Sequence, residues 1–395
     1  MELEGNVKNY EWGKLGESSE VARLVKANNE NFNILNNTPY SELWMGDHGS
    51  GPSVVKSSGQ VLGEVYKQRL PYLFKVLSVR KALSIQVHPN KEEATRLHKE
   101  RPDLYKDPNH KPELAIALTP FMALCGFRPY SEIHRFCEEI PPLKELLGGD
   151  AVVNGLSNGS VDNLKKCYQT LMTADSATVS SIIDTILKDY DNVLLKYSLQ
   201  DIFITINSDF PGDVGVLSLF FLNLLYLQPG ESIYLGANEI HAYLSGDCIE
   251  CMACSDNVIR AGLTPKFKDV KQLLASLNYT GSPASSKLFQ PKELDENSKL
   301  FAPPIPDFAV VQILLSSSSS PSASEYTLKL PQSPGILLVL SGSRTLRLKG
   351  HSDLVLKRGS IVFIPPENMN NIELLNLDKK NTDFNAYLAT GNSFN

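Results

Sequence analysis

Apolar residues in the first third of the chain occur in short runs that turn-forming residues separate. Between residues 70 and 127 four such runs (YLFKVLSV, ALSIQV, ELAIAL and FMALCGF) are broken by Pro, Asn and Gly. Short apolar segments bounded by turn formers are typical of β-strands. This region is therefore predicted to be mainly β-structure.

The spacing of apolar residues changes after Ser131. Up to about Asp201 they recur at intervals of three and four residues, an interval that places them on one face of a helix. The clearest examples are Ile133, Phe136, Cys137 and Ile140, then Val179, Ile182, Ile183, Ile186 and Leu187. We predict a helical insertion here, strands again at 214–227 and 232–235, and a further helix near 268–277.

Two later segments predict loops: the Pro-rich APPIPD at 302–307 and the serine tract 316–320 that precedes Pro321. After Tyr326 alternating segments such as YTLKL, GILLVL, RTLRLK and GSIVFI return. This alternation predicts another antiparallel β unit.

A weak internal repeat relates the two β regions. PGESIYLGANEIH at 229–241 aligns without a gap with RGSIVFIPPENMN at 358–370, and the alignment places His241 on Asn370. A turn glycine followed by an apolar strand is common in cupin barrels. If both copies are barrels, an imidazole is available to a metal ion only in the first.

These patterns predict a mainly β protein with an α insertion: two cupin-type (jelly-roll) β-barrels and a helical domain. The predicted catalytic barrel is discontinuous and comprises residues 1–128 and 216–292. Residues 129–215 form the predicted helical insertion, and 293–395 a C-terminal cupin-like domain without metal.

Composition narrows the possible environments and partners. A net charge of −6 gives no electrostatic reason to bind nucleic acid or an anionic membrane, so a small anionic substrate needs a local basic pocket. The most apolar run, 214–227, is too short for a membrane span and contains Asn223. The start, MELEGNVKNYEWGK, lacks the apolar core of a secretory signal, so we expect a cytoplasmic protein whose six cysteines are reduced.

Two of the seven histidines, His88 and His241, lie in strand-like segments beside other potential metal ligands. Gln86 and His88 are two residues apart, and so are Lys111 and Glu113, so a strand directs each pair to one face. Gln86, His88, Glu113 and His241 together offer two nitrogens and two oxygens, a set suited to zinc. A glutamate with two histidines also suits a non-haem iron oxygenase, which remains an alternative.

The cysteines of CIECMAC, Cys248, Cys251 and Cys254, suggest an iron–sulfur site, but no fourth cysteine and proline follow them. Residues three apart on a strand also point to opposite faces. We therefore expect buried, reduced, structural thiols.

Five blocks between Asn9 and Phe267 closely resemble the type I mannose-6-phosphate isomerases. They are NYEWGK, YSELWMGDH, LPYLFKVLSVRKALSIQVHPNK, NHKPELAIALTPFMALCGFRP and HAYLSGDCIECMACSDNVIRAGLTPKF. The sequence differs from the family pattern in a shorter 51–70 segment and in Gly236 and Ile240 before His241. After about Lys292 it resembles only a generic second cupin.

The resemblance implies a zinc-dependent isomerase that interconverts mannose 6-phosphate and fructose 6-phosphate through a cis-enediol and supplies mannose 6-phosphate for GDP-mannose and glycosylation. It implies one zinc per chain, held by Gln86, His88, Glu113 and His241. We expect a monomer that binds a small sugar phosphate and neither nucleic acid nor membrane.

The resemblance also implies a sugar pocket and a phosphate site. Lys111, Glu250, Asp256 and Arg260 line the pocket, and Ser84 and Lys266 face the phosphate, with Lys75 and His110 as additional members. Asp256, four residues from Arg260, is preferred over Glu250 as the base. The alternatives are a solvated charged face, and a cupin that only binds a sugar phosphate or serves as a scaffold.

Overall fold

The computed structural model describes residues 1–316, 325–376 and 383–394. The predicted loop at Ser317 to Ser320 and Pro321 lies outside the described residues. Within them the protein is mainly β with a helical segment, which confirms the predicted fold class.

The first part of the chain forms short strands around one long central strand. All eight residues of that strand, β7, are buried, including Lys75, because its alternating side chains pack into cores on both faces of the sheet. The helices are α1 (Glu20–Asn28), α2 (Leu62–Val65) and α3 (Lys91–Glu100). The strands are β1 (Glu2–Glu4), β2 (Asn6–Lys8), β3 (Lys14–Leu15), β4 (Pro39–Tyr40), β5 (Glu42–Met45), β6 (Val54–Val55), β7 (Tyr72–Val79), β8 (Ile85–Val87), β9 (Glu113–Ala117) and β10 (Phe121–Phe127).

The helical insertion follows, and the residues that predicted it are buried on the inner faces of its helices, except Leu187, which is half-buried. Ser160 and Asp175 cap the N-terminal ends of two of these helices, because their side chains accept hydrogen bonds from free backbone N–H groups of the first turn. Within the described ranges, no helix is both long and apolar enough to cross a membrane. The helices are α4 (Tyr130–Glu139), α5 (Pro141–Leu146), α6 (Asp150–Ser157), α7 (Val161–Thr173), α8 (Ser176–Asp189), α9 (Asp191–Lys196), α10 (Gln200–Asp209) and α11 (Val214–Leu217).

The chain then returns to β-structure with β11 (Leu222–Leu227), β12 (Ser232–Leu235), β13 (His241–Ala253), β14 (Ile259–Gly262), helix α12 (Val270–Ser276) and β15 (Leu288–Phe289). The prediction of one strand over 214–227 is partly wrong, since α11 and a 3₁₀ turn at Ser218–Phe220 precede β11. These residues are buried in the helical core, where an apolar run does not distinguish helix from strand.

Strand β13 organises the sheet that carries the candidate site. The sheet has eleven strands, with the order β15-β12-β9-β13-β7-β5-β2 along its main path. The N-terminal end of β13 pairs with β10 and β8, and its C-terminal end pairs with β7 and β9. The strands that flank the helical insertion, β10 and β11, pair with each other. The helices are therefore inserted between two neighbours of one sheet.

The C-terminal region contains β16 (Lys292–Asp295), β17 (Ser298–Phe301), β18 (Ala309–Leu315), β19 (Glu325–Leu328), β20 (Gly335–Ser341), β21 (Arg344–Arg347), β22 (Leu354–Leu356), β23 (Ile361–Ile364), β24 (Ile372–Leu375) and β25 (Phe384–Thr390). They form a four-stranded sheet and most of an eight-stranded one, which β1 and β6 complete. Leu3, Phe74, Ile249 and Phe363 share one core, so the two β regions are packed together. The closure of two barrels and the domain boundaries stay predictions.

The internal repeat is visible in the backbone. The aligned segments place β12 on β23, both four residues long, and each follows a glycine with positive φ, 90° at Gly230 and 83° at Gly359. Such φ values favour glycine because it has no Cβ. At the end of the alignment His241 is buried and Asn370 is exposed. The two copies thus share a turn and a strand but differ at the residue with metal-binding chemistry.

Candidate metal centre and active site

Three side chains from three strands converge inside the first β region. His88 follows β8, Glu113 begins β9 and His241 begins β13, and all three are buried. One ligand atom from each lies within 4.8 Å of the other two. Among the described residues this is the one such group of three or more His, Cys, Asp or Glu side chains. Sequence reasoning had selected all three.

The separations between these atoms match those of ligands to one ion. His88 Nε2 lies 3.4 Å from Glu113 Oε1, and His241 Nε2 lies 3.5 Å from Glu113 Oε2. Two ligands at zinc distances of about 2.0–2.2 Å and a tetrahedral angle are about 3.4 Å apart. The separations are therefore compatible with one zinc ion bound by the three side chains.

Backbone carbonyls set the tautomer of both imidazoles. His88 Nδ1 donates to the carbonyl of Asn257 at 2.7 Å, and His241 Nδ1 donates to that of Glu239 at 2.8 Å. Each Nε2 therefore carries a lone pair, is buried, and has no hydrogen-bond partner in the described structure. Buried nitrogens without a partner are costly unless another group, such as a metal ion, binds them.

Charge at this centre is arranged for a cation. Burial lowers the pKa of His88 to about 4, so the ring is neutral, as a metal ligand must be. Burial would raise the pKa of Glu113, but Lys111 and His88 together hold it well below its usual range. Glu113 is therefore a carboxylate, and the three groups offer two neutral nitrogens and one anionic oxygen.

Gln86, the predicted fourth ligand, lies between two other residues of the candidate site. On β8 it is directly opposite His241 of β13 on one side and Arg260 of β14 on the other. Directly opposite residues in antiparallel strands share a face of the sheet. Ser84, predicted to face the phosphate, donates to Gln86 Oε1 at 3.4 Å. The role of Gln86 as a ligand stays a prediction.

Two cations flank the metal centre. Lys111 Nζ is 3.3 Å from Glu113 Oε1, and its side chain is 13% exposed. Arg260 is half-buried, and burial alone lowers its pKa. Among the described residues, Arg260 has no ion-pair partner, so its guanidinium is available to an anionic group.

Glu250 lies in a buried charged network further along β13. Its Oε2 is 2.8 Å from Lys75 Nζ, which is also 3.4 Å from Glu42 Oε2. The indole of Trp44 donates to Glu42, and Tyr243 donates to Glu113 Oε2 at 3.4 Å. Burial raises the pKa of Glu250, and Lys75 opposes that rise.

Sequence reasoning missed Glu42 and Trp44, although both lie in the YSELWMGDH block. Their spacing of two residues places them on one face of β5, and Trp44 is directly opposite Lys75 in the register. An acid inside an apolar strand was the available signal. The roles of the Asn257 and Glu239 carbonyls could not be predicted from the sequence, because every residue has a backbone carbonyl whatever its side chain.

Asp256 lies apart from Glu250. Its side chain is 54% exposed and its Oδ1 is 4.0 Å from His48 Nε2, while Glu250 is buried. No ion pair joins Asp256 to Arg260 among the described residues, although the sequence suggested that both reach one centre. Asp256 thus lies near the surface, and its predicted catalytic role stays a prediction.

The remaining predicted phosphate residues have different environments. Lys266 is exposed and Ser84 is half-buried. His110 Nε2 is 3.0 Å from Asp307 Oδ2, so its ring contacts the loop between β17 and β18 of the C-terminal region. Lys75 is held by two buried carboxylates. Among the described residues, Lys266 and Ser84 are therefore the members that no carboxylate holds, although Ser84 already donates to Gln86.

All six thiols are free, and all but Cys254 are buried. Cys248 and Cys251 are fully buried in different cores on opposite faces of β13. Three thiols of CIECMAC therefore do not converge on one cluster.

Known proteins resemble this chain over nearly its full length. A model of the phosphomannose isomerase type I catalytic domain matches residues 1–130. The chain is 41% identical over 390 residues to mannose-6-phosphate isomerase of Mus musculus, covering 91% of each. It is 40% identical over 391 residues to that of Schizosaccharomyces pombe, covering 92% of this chain and 93% of the relative.

Solved structures agree with these relatives. A mannose 6-phosphate isomerase bound with zinc and yttrium superposes with a TM-score of 0.81 at 28% identity, covering 99% of this chain and 98% of that one. The apo enzyme from Salmonella typhimurium superposes with a TM-score of 0.80 at 28% identity and the same coverage. The chain therefore belongs to the type I phosphomannose isomerase family and, as a member of it, is an isomerase.

Proposed function

We propose that this chain interconverts mannose 6-phosphate and fructose 6-phosphate by zinc-dependent proton transfer through a cis-enediol. The observation that carries the proposal is the convergence of His88, Glu113 and His241, with two unpartnered nitrogens, beside the cations Lys111 and Arg260. The relatives that carry this activity in their names match the chain along most of its length. The product would feed GDP-mannose synthesis and glycosylation.

One zinc ion per chain would be held by His88, Glu113 and His241, with Gln86 as the fourth ligand. The two-nitrogen, carboxylate and amide set suits zinc. When bound, zinc supplies Lewis acidity that polarises sugar oxygens, an effect worth several kcal/mol in such sites. The unpartnered Nε2 atoms support this assignment over a purely structural role for the two histidines.

A carboxylate would move the proton between C2 and C1 of the sugar. Burial raises the pKa of Glu250, which brings a carboxylate closer to the range where a base works at neutral pH. Asp256 is exposed and lies beside His48. We therefore place Glu250 first as the base and keep Asp256, preferred on spacing, as the alternative.

Two cations would stabilise the charge that develops on the enediolate oxygens. Arg260 has no competing anion in the described structure and is half-buried, so its charge acts in a medium less polar than water. Lys111 lies beside Glu113 and reaches the same space. Both are proposed as catalytic residues.

The phosphate would be held outside the metal centre by Lys266 and Ser84, with Lys75 and His110 as further members. A lysine supplies a compact charge suited to phosphate. Lys75 and His110 already contact carboxylates, so Lys266 and Ser84 are the stronger candidates for binding the phosphate. The chain is further proposed to be a cytoplasmic monomer.

The test is a coupled assay for fructose 6-phosphate on purified protein with and without a chelator, together with elemental analysis. We expect about one zinc per chain and loss of both zinc and activity in His241→Ala. His351→Ala, at an exposed histidine of the C-terminal region, is the matched control and should keep both. A fully active metal-free preparation would refute the zinc role, and iron as the sole active metal would favour an oxygenase. Binding without turnover would favour a sugar-phosphate scaffold.

A further inference from the structure

Asn257 is a fully buried asparagine in the loop between β13 and β14. Its backbone carbonyl accepts the Nδ1–H of His88 at 2.7 Å. Because this carbonyl belongs to the main chain, its position depends on the contacts that hold the surrounding loop in place. One anchor of this loop is the side chain of the same residue.

The side-chain amide of Asn257 acts only as a donor. Its Nδ2 donates to the carbonyls of Asp107 at 2.7 Å and Asn109 at 3.0 Å, and lies 3.3 Å from Asp107 Oδ1. Its Oδ1 is buried without a partner in the described structure. Three acceptors surround the NH₂ group, so this position needs an amide nitrogen.

Neighbouring bonds join the same two loops. Ser255 Oγ donates to the Asn109 carbonyl at 3.1 Å and accepts from Asn257 N at 3.2 Å. The backbone N–H of Asp256 donates to Asp107 Oδ2 at 2.8 Å. The loop around Asn257 is therefore tied to the segment 107–109 at several points.

This connection links two metal-ligand segments. The segment 107–109 leads within a few residues to Glu113, at the start of β9, while the Asn257 carbonyl orients the ring of His88. Asn257 thus orients the His88 ring through its main-chain carbonyl and holds the segment that precedes Glu113 through its side-chain amide.

We propose that Asn257 is a positioning residue that fixes the ring of His88 relative to Glu113 and so slows the loss of the metal ion. This inference rests on the proposed zinc site. Removing a group that orients a metal ligand typically weakens metal binding about 10–100-fold. The Asn257 amide acts through the loop, so it is expected to affect metal retention more than the overall fold.

The decisive variant is Asn257→Asp, which keeps the size of the side chain and replaces the NH₂ donor by an acceptor facing three acceptors. The matched control is Asn392→Asp in the C-terminal region. Asn392 Nδ2 also clamps two carbonyls, those of Pro303 at 2.8 Å and Ile305 at 2.7 Å, far along the chain from every proposed ligand. Both variants therefore undergo the same chemical change in the same kind of contact.

Two readouts are measured on the full-length protein. The first is the rate at which zinc leaves the loaded protein into excess chelator, and the second is the visible spectrum after loading with Co²⁺, which reports ligand geometry. We expect zinc to leave about 10–100-fold faster from Asn257→Asp, with an altered Co²⁺ spectrum, and at the wild-type rate from Asn392→Asp.

Ser255→Ala is the milder second variant, since it removes one hydroxyl from the same connection and keeps the amide. It should release zinc several-fold faster than wild type, and it decides the question if Asn257→Asp does not fold. Wild-type release rates in Ser255→Ala and in any folded Asn257→Asp would overturn the inference. A wild-type protein that retains no zinc would instead overturn the proposed function, so the two failures are distinguishable.

Discussion

Replacing Lys75 by Met should destabilise the protein strongly, although methionine suits an apolar strand. Lys75 is 6% exposed on β7, and its ammonium lies 2.8 Å from Glu250 Oε2 and 3.4 Å from Glu42 Oε2. The variant keeps the volume and removes the cation that lies between these two buried carboxylates. Breaking a buried ion pair from one side typically costs about 3–5 kcal/mol.

The distances give a consistent magnitude. At an effective dielectric constant of about 20, charges at these separations attract by about 6 kcal/mol for Glu250 and about 5 kcal/mol for Glu42. Burying the ammonium costs several kcal/mol, which the variant recovers. The difference is a net loss of a few kcal/mol in the free energy of unfolding, and repulsion between the two remaining carboxylates adds to this loss.

Urea unfolding followed by tryptophan fluorescence measures this loss. Trp44 is a suitable probe because Lys75 Nζ lies 5.2 Å from its ring centre. The matched control is Lys357→Met, which breaks the exposed contact of Lys357 with Glu30 at 3.2 Å and should change the midpoint little.

The pH dependence gives a second check. Burial raises the pKa of Glu250 and Lys75 opposes that rise, so in Lys75→Met the pKa in the folded state rises further above its unfolded value. A carboxyl group whose pKa is higher in the folded state than in the unfolded state lowers the free energy of unfolding as pH increases, and the protein regains that stability as pH falls. The deficit of Lys75→Met relative to wild type should therefore be smaller at pH 5 than at pH 8. Equal midpoints for the two proteins at pH 8, or a deficit that grows on acidification, would refute the reasoning.

Three further predictions concern the proposed site and the thiols. Lys266→Ala should raise KM for mannose 6-phosphate with zinc retained and with a smaller loss on unphosphorylated mannose; equal losses on both substrates would contradict a phosphate role. In deuterated water Glu250→Gln should lose both solvent exchange and turnover while Asp256→Asn keeps them, and the opposite pattern would make Asp256 the base. Because burial raises the pKa of Cys254 to about 12, the native protein at pH 8 should react slowly with a thiol reagent, whereas all six cysteines should react in urea; rapid native labelling would contradict the buried environment.

The elements that sequence predicted well are those with one buried face. The helical spacing of Ile133, Phe136 and Cys137 places all three in the core, because α4 has an exposed side for contrast. In 214–227 that contrast is missing. Val214, Leu217 and Phe220 are buried in a helical core, and even the polar Ser218 is buried there, so no exposed polar face marks the period of the helix.

Within the site, the metal-binding group was predictable and its surroundings were not. His88, Glu113 and His241 have side chains whose chemistry is evident from their type. The pairing of Trp44 with Lys75 depends on the register between β5 and β7, which no local pattern specifies. The same holds for the exposure of Asp256, which depends on how its loop packs on residue 107.

The buried ion pairs at the candidate site carry an energetic cost. Lys75 and Glu250 lie in the interior of the first sheet, where each is tolerated only because the other is present. Replacing such a buried pair by well-packed apolar residues of similar volume is often neutral or stabilising, so folding does not require it. In the C-terminal region Leu337, Val362 and Leu388 belong to a large cluster of buried apolar side chains. The network of Lys75, Glu250 and Glu42 is therefore better explained by chemistry at the neighbouring candidate metal centre than by folding, which is why removing Lys75 is expected to harm both.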